Sequence, residues 1–208
     1  MNFRKYFAQT QNAKLKRYQK MVELAGLRPH HRVLHAGCGH GYSFESYNNE
    51  NEVVGLDIFP PSECDIQREN FRYVQGFGED MNMFKDKEFD LVVNVGTLEH
   101  IRPYEKLQAF AREISRVGKG YVVIVPHMYT PIEPHYQLPF WQLYPMWFKK
   151  FLSRHFSIGN YPKGEFEDLM YFNKKGWKKL FPDAKIYDYN HIRFGIVRNY
   201  IIYREIPA

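Results

Sequence analysis

The chain has 208 residues, 44% of them hydrophobic, which suits one domain with a substantial core. No run of about 18 uncharged apolar residues occurs and Met1-Asn2-Phe3-Arg4-Lys5-Tyr6 lacks an apolar leader, so neither a membrane-spanning helix nor a secretory signal is expected. The two cysteines make no disulfide scaffold, which suits a reducing, cytoplasmic setting, and the net charge of +6 sits in the last third, where residues 141–208 hold 12 Lys+Arg against 6 Asp+Glu.

Taken in order, residues 12–26 carry Leu15, Tyr18, Met21, Val22 and Ala25 at helical spacing, with Gly26 and then Pro29 as stop signals. Arg32–Ala36 reads as a strand that breaks into Gly37-Cys38-Gly39-His40-Gly41, and a short helix through Phe44 and Tyr47 should follow. A second strand, Glu52–Leu56, ends at Asp57. After the irregular Pro60-Pro61 stretch come a strand near Arg72–Gln75 and the apolar run Phe89–Val95, typical of a strand buried on both faces. A helix over about 103–117 leads to a turn framed by Gly118 and Gly120, then to the buried strand Tyr121–Val125. This alternation argues for a parallel sheet with right-handed crossovers. Beyond Pro126 the pattern changes: ten aromatics fall among the 33 residues from Tyr129 to Tyr161. A short helix over 173–180 precedes two β-rich runs, Lys185–Tyr189 and Arg198–Arg204, expected to pair antiparallel.

Strand, glycine turn, helix, strand and acid form the layout of a nucleotide site at the carboxyl edge of such a sheet. Glycines allow the backbone a sharp turn and a close approach to ligand, while Asp57 is placed to accept hydrogen bonds from ribose hydroxyls. The spacing G-x-G-x-G differs from the G-x-G-x-x-G of dinucleotide dehydrogenases and is closer to the loop that wraps S-adenosylmethionine. No G-x-x-x-x-G-K-[ST] phosphate loop is present.

These segments resemble class I S-adenosylmethionine-dependent methyltransferases, in particular the type 11, ubiquinone-biosynthesis-like group. Val33–Gly41 is similar to the glycine-rich first motif, Val53–Asp57 to the ribose-binding strand and Gln75–Asp80 to the adenine-side loop. The stretch from Phe89 through Leu98-Glu99-His100-Ile101 matches the fourth motif, and Glu113–Pro126 the next helix and strand. The resemblance implies an α/β fold: a Rossmann-like, seven-stranded, mostly parallel sheet with helices on both faces and an antiparallel C-terminal strand pair. It implies S-adenosylmethionine as cofactor, held by His35, Gly37, Cys38, Gly39, Gly41, Asp57, Ile58, Gly78, Glu79 and Asn94. Two positions depart from the family: His35 stands where an acid is usual, and Phe77 where an Asp is usual.

The acceptor should lie over the ends of the fourth and fifth strands, within reach of His100, His127, His135 and Tyr136, the candidate catalytic groups. A histidine could take the proton of an attacking hydroxyl. The first motif's histidines and Cys38 lack paired ligand spacing, so no metal is expected. One domain is expected over 1–208, with an aromatic lid inserted at about 127–172 that forms a wall of the acceptor site. Within it, Pro145–Phe156 reads as an amphipathic helix, with Trp147, Phe148, Phe151, Leu152 and His155 on one face and Lys149, Lys150, Ser153 and Arg154 on the other. That face suits a buried lid or an interfacial helix on anionic lipid. The expected partner is a small or lipid-linked, anionic acceptor; no nucleic-acid signature is present, and the sequence assigns no oligomeric state. A non-catalytic member of the fold that binds a nucleotide or a protein is the alternative reading.

Overall fold

The computed structural model describes residues 16–40, 50–64, 69–191 and 197–207. Helix α1 occupies 16–25 within these and stops at Gly26, whose φ of +69° reverses the chain. The strands are β1 (Arg32–Ala36), β2 (Glu52–Asp57), β3 (Phe71–Gln75), β4 (Phe89–Val95), β5 (Gly118–Pro126), β6 (Lys185–His191) and β7 (Val197–Arg204). Helices α2 (Tyr104–Val117), α3 (Met146–His155) and α4 (Lys174–Leu180) complete the set. Gly41 and the helix expected through Phe44 and Tyr47 lie outside the described residues.

One sheet of order β3-β2-β1-β4-β5-β7-β6 unites all seven strands. β1 to β5 run parallel, and β7 pairs antiparallel with both β5 and β6. The order reverses at β1, flanked by β2 and β4, which opens a crevice beyond their carboxyl ends. Side-chain alternation splits the core in two. Leu34, Val54, Val92 and Val123 pack under α2 and α4, whereas Val33, Val53, Leu91 and Val122 pack under Tyr18, Met21 and Ala25 of α1. Helices therefore cover both faces. Among the described residues, no helix is long and apolar enough to cross a membrane.

Gly118 and Gly120 do not frame a turn. The Gly118 amide still donates to Ile114 of α2, yet Gly118 is already paired with Phe89, so helix runs directly into strand. A Cβ on Gly118 would lie 2.5 Å from the Gly120 carbonyl, and one on Gly120 2.9 Å from that of Arg204. These glycines serve close backbone approach, a need the sequence does not distinguish from a turn.

The insertion has its own core of Tyr136, Trp141, Ile158 and Leu169. Helix α3 meets it differently from expectation: Lys149 and Ser153 are buried, while Trp147 is 71% and Phe151 51% exposed. Only Phe148 and Leu152 of the expected inner face turn partly inward. The reason lies in Lys149, whose ammonium sits 5.8 Å from the Trp141 ring centre and 5.9 Å from that of Tyr171. Burial lowers its pKa. The rings accept its stem and charge together, so a lysine can face inward.

Candidate functional site

The crevice floor is the turn after β1. Gly37 and Gly39 adopt φ of +75° and +56°, and the Gly37 and Cys38 amides donate to the Leu56 carbonyl at 2.8 and 3.2 Å. A Cβ on Gly37 would lie 2.4 Å from Thr97 Oγ1, so only glycine lets this turn pass beneath the loop after β4. Thr97 then donates to the Gly37 carbonyl at 3.2 Å. Asp57, ending β2, accepts from Gly39 N–H at 2.6 Å on Oδ2 and from Ile58 N–H at 2.8 Å on Oδ1. Each oxygen keeps a lone pair for a ligand hydroxyl. Cys38 is buried, and desolvation together with the Asp57 charge pushes its thiol well up, so it packs rather than reacts.

Beside Asp57, Ile58 and Phe77 are 56% and 59% exposed, giving an open apolar surface suited to a flat base. A Cβ on Gly78 would come within 2.2 Å of the Phe110 ring of α2, so this residue sets how closely the loop after β3 lies on the helix. Gly78→Ala should cost roughly 1–3 kcal/mol of stability by overpacking, read as a lower urea midpoint. Glu79 is drawn away from a base by its ion pair with Lys106 at 2.9 Å.

At the β4 side, buried Asn94 donates from Nδ2 to the Ala36 carbonyl at 2.7 Å, while its Oδ1 has no hydrogen-bond partner among the described residues. His35 is buried in β1, and desolvation lowers its pKa to about 4, so it is neutral near pH 7. S-adenosylmethionine fits these residues. The orphaned Asn94 oxygen can accept from an ammonium, Asp57 from the ribose, and Ile58 and Phe77 can pack on adenine.

Beyond Thr97 the fourth-motif residues meet the insertion. The His100 and His135 rings stand edge to face with centres 5.0 Å apart. His100 Nδ1 lies 2.8 Å from Glu167 Oε1, and His135 Nδ1 2.8 Å from Glu133 Oε1. Burial lowers the His135 pKa, but the Glu133 hydrogen bond and nearby acids outweigh it, leaving a net rise. Burial raises the Glu99 carboxyl. Tyr136 does not share this cluster's open side: fully buried, it stacks on Trp141 and Tyr161, its hydroxyl donating to the Glu167 carbonyl at 2.7 Å. His127 stands elsewhere, its ring centre 4.1 Å from that of Tyr200 and its Nδ1 accepting from Tyr129 N–H at 2.9 Å. The structure thus unites His100 with His135 and leaves His127 in a separate setting. Glu99, Glu133 and Glu167 went unassigned from sequence; the Glu-x-His pattern of Glu133 and His135 was the available signal.

Residues 34–124 match the family model described as Methyltransferase domain. A search of the curated proteins finds no match. Among solved structures, a Methanosarcina mazei S-adenosylmethionine-dependent methyltransferase is similar at 15% identity and TM-score 0.60, over 88% of this chain and 95% of that one. The Burkholderia thailandensis 1,6-didemethyltoxoflavin-N1-methyltransferase, solved with its substrate and S-adenosylhomocysteine, shares 16% identity at TM-score 0.60, over 93% of this chain and 78% of its own. The YcgJ protein of Bacillus subtilis gives 16% and 0.57, over 89% and 96%. These structures share the fold, and the matched segment spans the glycine turn, Asp57 and the β4 motif. A methyltransferase-domain match over residues 34–124 thus sits on a fold shared with S-adenosylmethionine-dependent methyltransferases.

Proposed function

We propose that the enzyme methylates a small, lipid-linked, anionic acceptor that it meets at an acidic membrane surface, with residues 127–172 as lid and acceptor wall. The carrying observation is the outward face of α3, where exposed Trp147 and Phe151 alternate with exposed Lys150 and Arg154. Rings beside cations suit the boundary between headgroups and acyl chains. Phe140, Leu143, Met146 and Phe156 extend the exposed apolar surface. Next to it a groove of about 480 Å³, lined by Tyr144, Phe148, Leu152 and Phe156 among others, offers room for an apolar tail.

The lid reading rests on contacts with the segment after β4. Met170 N–H donates to the Glu99 carbonyl at 2.7 Å, and Arg102 pairs with Asp168 at 2.6 Å. Thr97 of the same loop touches Gly37, which links the insertion to the cofactor turn.

When bound, S-adenosylmethionine supplies an electrophilic methyl group together with its leaving group. The protein's own work is orientation and water exclusion. Asp57 and the glycine turn fix the cofactor end, while His100 and His135 face the acceptor end, where an imidazole can take a hydroxyl proton. The free cysteines Cys38 and Cys64 accord with a reducing, cytoplasmic setting.

Sedimentation with vesicles tests the membrane contact. Phosphatidylcholine vesicles containing phosphatidylglycerol should carry the protein down, pure phosphatidylcholine should not, and Lys150→Glu with Arg154→Glu should abolish binding. Absence from the anionic pellet, or binding unaffected by the double variant, would contradict the reading.

A further inference from the structure

Glu99, His100 and His135 come together from the loop after β4 and from the insertion, with one donor atom of each within 4.8 Å of the others. Both histidines are held the same way. Glu133 is fully buried and fixed by the amides of His135 and Tyr136 at 2.7 and 2.6 Å, so its carboxylate is set to receive His135 Nδ1. Glu167 is fixed by the Tyr161 hydroxyl at 2.6 Å and is set to receive His100 Nδ1. An imidazole that donates from Nδ1 to a carboxylate presents a bare Nε2 lone pair, the arrangement found behind metal-bound histidines.

The third group supplies independent support. Glu99 is 99% buried by its 1% exposure, and its Oε2 has no hydrogen-bond partner among the described residues, while Oε1 lies 3.9 Å from His135 Nε2. Three carboxylates thus face two imidazoles, with Glu99 and Glu133 fully buried and His100 and Glu167 about one-third exposed. A buried carboxylate oxygen without a proton donor is costly unless a cation or a proton neutralises it.

The geometry points to a divalent transition-metal site built from Glu99, His100 and His135, with Glu133 and Glu167 orienting the two imidazoles. Two imidazoles and one carboxylate suit Zn²⁺, Fe²⁺ or Co²⁺ and leave coordination positions for other ligands. Bonds of about 2.1 Å need donors roughly 3.4 Å apart, closer than the present spread of up to 4.8 Å, so metal binding would draw the three side chains together. The set escapes sequence inspection because its members lie in separate segments and no paired C-x-x-C or H-x-x-x-H spacing announces it. If the acceptor reading above holds, a hydroxyl bound there would be acidified before attack, and this would replace proton uptake by His100 or His135, whose Nε2 lone pairs the metal would then engage; the metal site itself does not depend on that reading.

Chelator-treated protein is titrated with Co²⁺, with no methyl acceptor present. The expected result is one Co²⁺ per chain, visible ligand-field absorption, displacement by Zn²⁺ and a raised thermal midpoint. Glu99→Gln and His135→Asn should each weaken uptake at least tenfold, and Glu133→Gln roughly 10- to 100-fold, while His40→Asn leaves it unchanged. Should a variant fail to fold by circular dichroism, X-ray absorption on the wild-type Co²⁺ form decides. Nitrogen and oxygen ligands support the site, and a sulfur ligand, which would place the ion at a cysteine, overturns it. No uptake at millimolar Co²⁺ also overturns it and assigns Glu99 a proton instead.

Discussion

Asp57→Ala is expected to weaken S-adenosylhomocysteine binding roughly 10- to 150-fold, the ~1.5–3 kcal/mol typical of hydrogen bonds to a charged group. Two effects combine. The carboxylate is the ionised acceptor at the end of β2, where a ribose can present two hydroxyls. It also holds the Gly39 and Ile58 amides, so its loss frees a glycine turn whose positive φ values carry an entropic cost of ordering. Asp57→Asn should fall between wild type and Ala, because one amide N–H must then be left facing an NH₂ group. Calorimetry reads the affinity, and the thermal midpoint of the unliganded variant separates loss of binding from loss of fold. Unchanged affinity in a folded Asp57→Ala protein would remove this residue from the site.

The second large effect concerns His35 and pH. An unfolded chain titrates histidine near 6.5, whereas desolvation brings the folded imidazole to about 4. Between these values the unfolded state binds more protons, so the contribution of neutral His35 is complete above about pH 6.5 and shrinks as pH falls towards 4. The loss should reach about 2 kcal/mol by pH 5 and about 3 kcal/mol by pH 4. Urea unfolding at pH 7 and pH 5, compared between wild type and His35→Gln, isolates this group from the carboxylates. The variant should lose about 2 kcal/mol less than wild type between those pH values. Equal losses would mean that His35 is protonated in the folded state. The same burial bears on the family's usual acid at this position: His35 lies on the α1 side of the sheet with Val33, fully enclosed, where an ionised side chain would need partners of its own.

The sheet was legible because its strands are short apolar runs bounded by glycine, proline or acid. Arg32–Ala36 and Phe89–Val95 match β1 and β4 residue for residue, and Asp57 closes β2 as expected. Gly118 and Gly120 misled because a glycine needed for close approach looks, in sequence, like one needed for a turn. Helix α3 misled for another reason: hydrophobic periodicity assumes that lysine faces water, yet Trp141 and Tyr171 supply an aromatic seat for Lys149. His100 and His135 were legible singly as candidate groups. Their union with Glu99 depends on how the insertion folds back on the loop after β4, which no local pattern encodes.

The most direct test of the central claim is calorimetric titration of the wild-type chain with S-adenosylhomocysteine, with NAD as the comparison ligand. Saturable binding of one S-adenosylhomocysteine per chain, without comparable heat from NAD, is the result predicted by the glycine turn, Asp57 and the orphaned Asn94 oxygen. No heat with S-adenosylhomocysteine at millimolar concentration, together with saturable NAD binding, would contradict it.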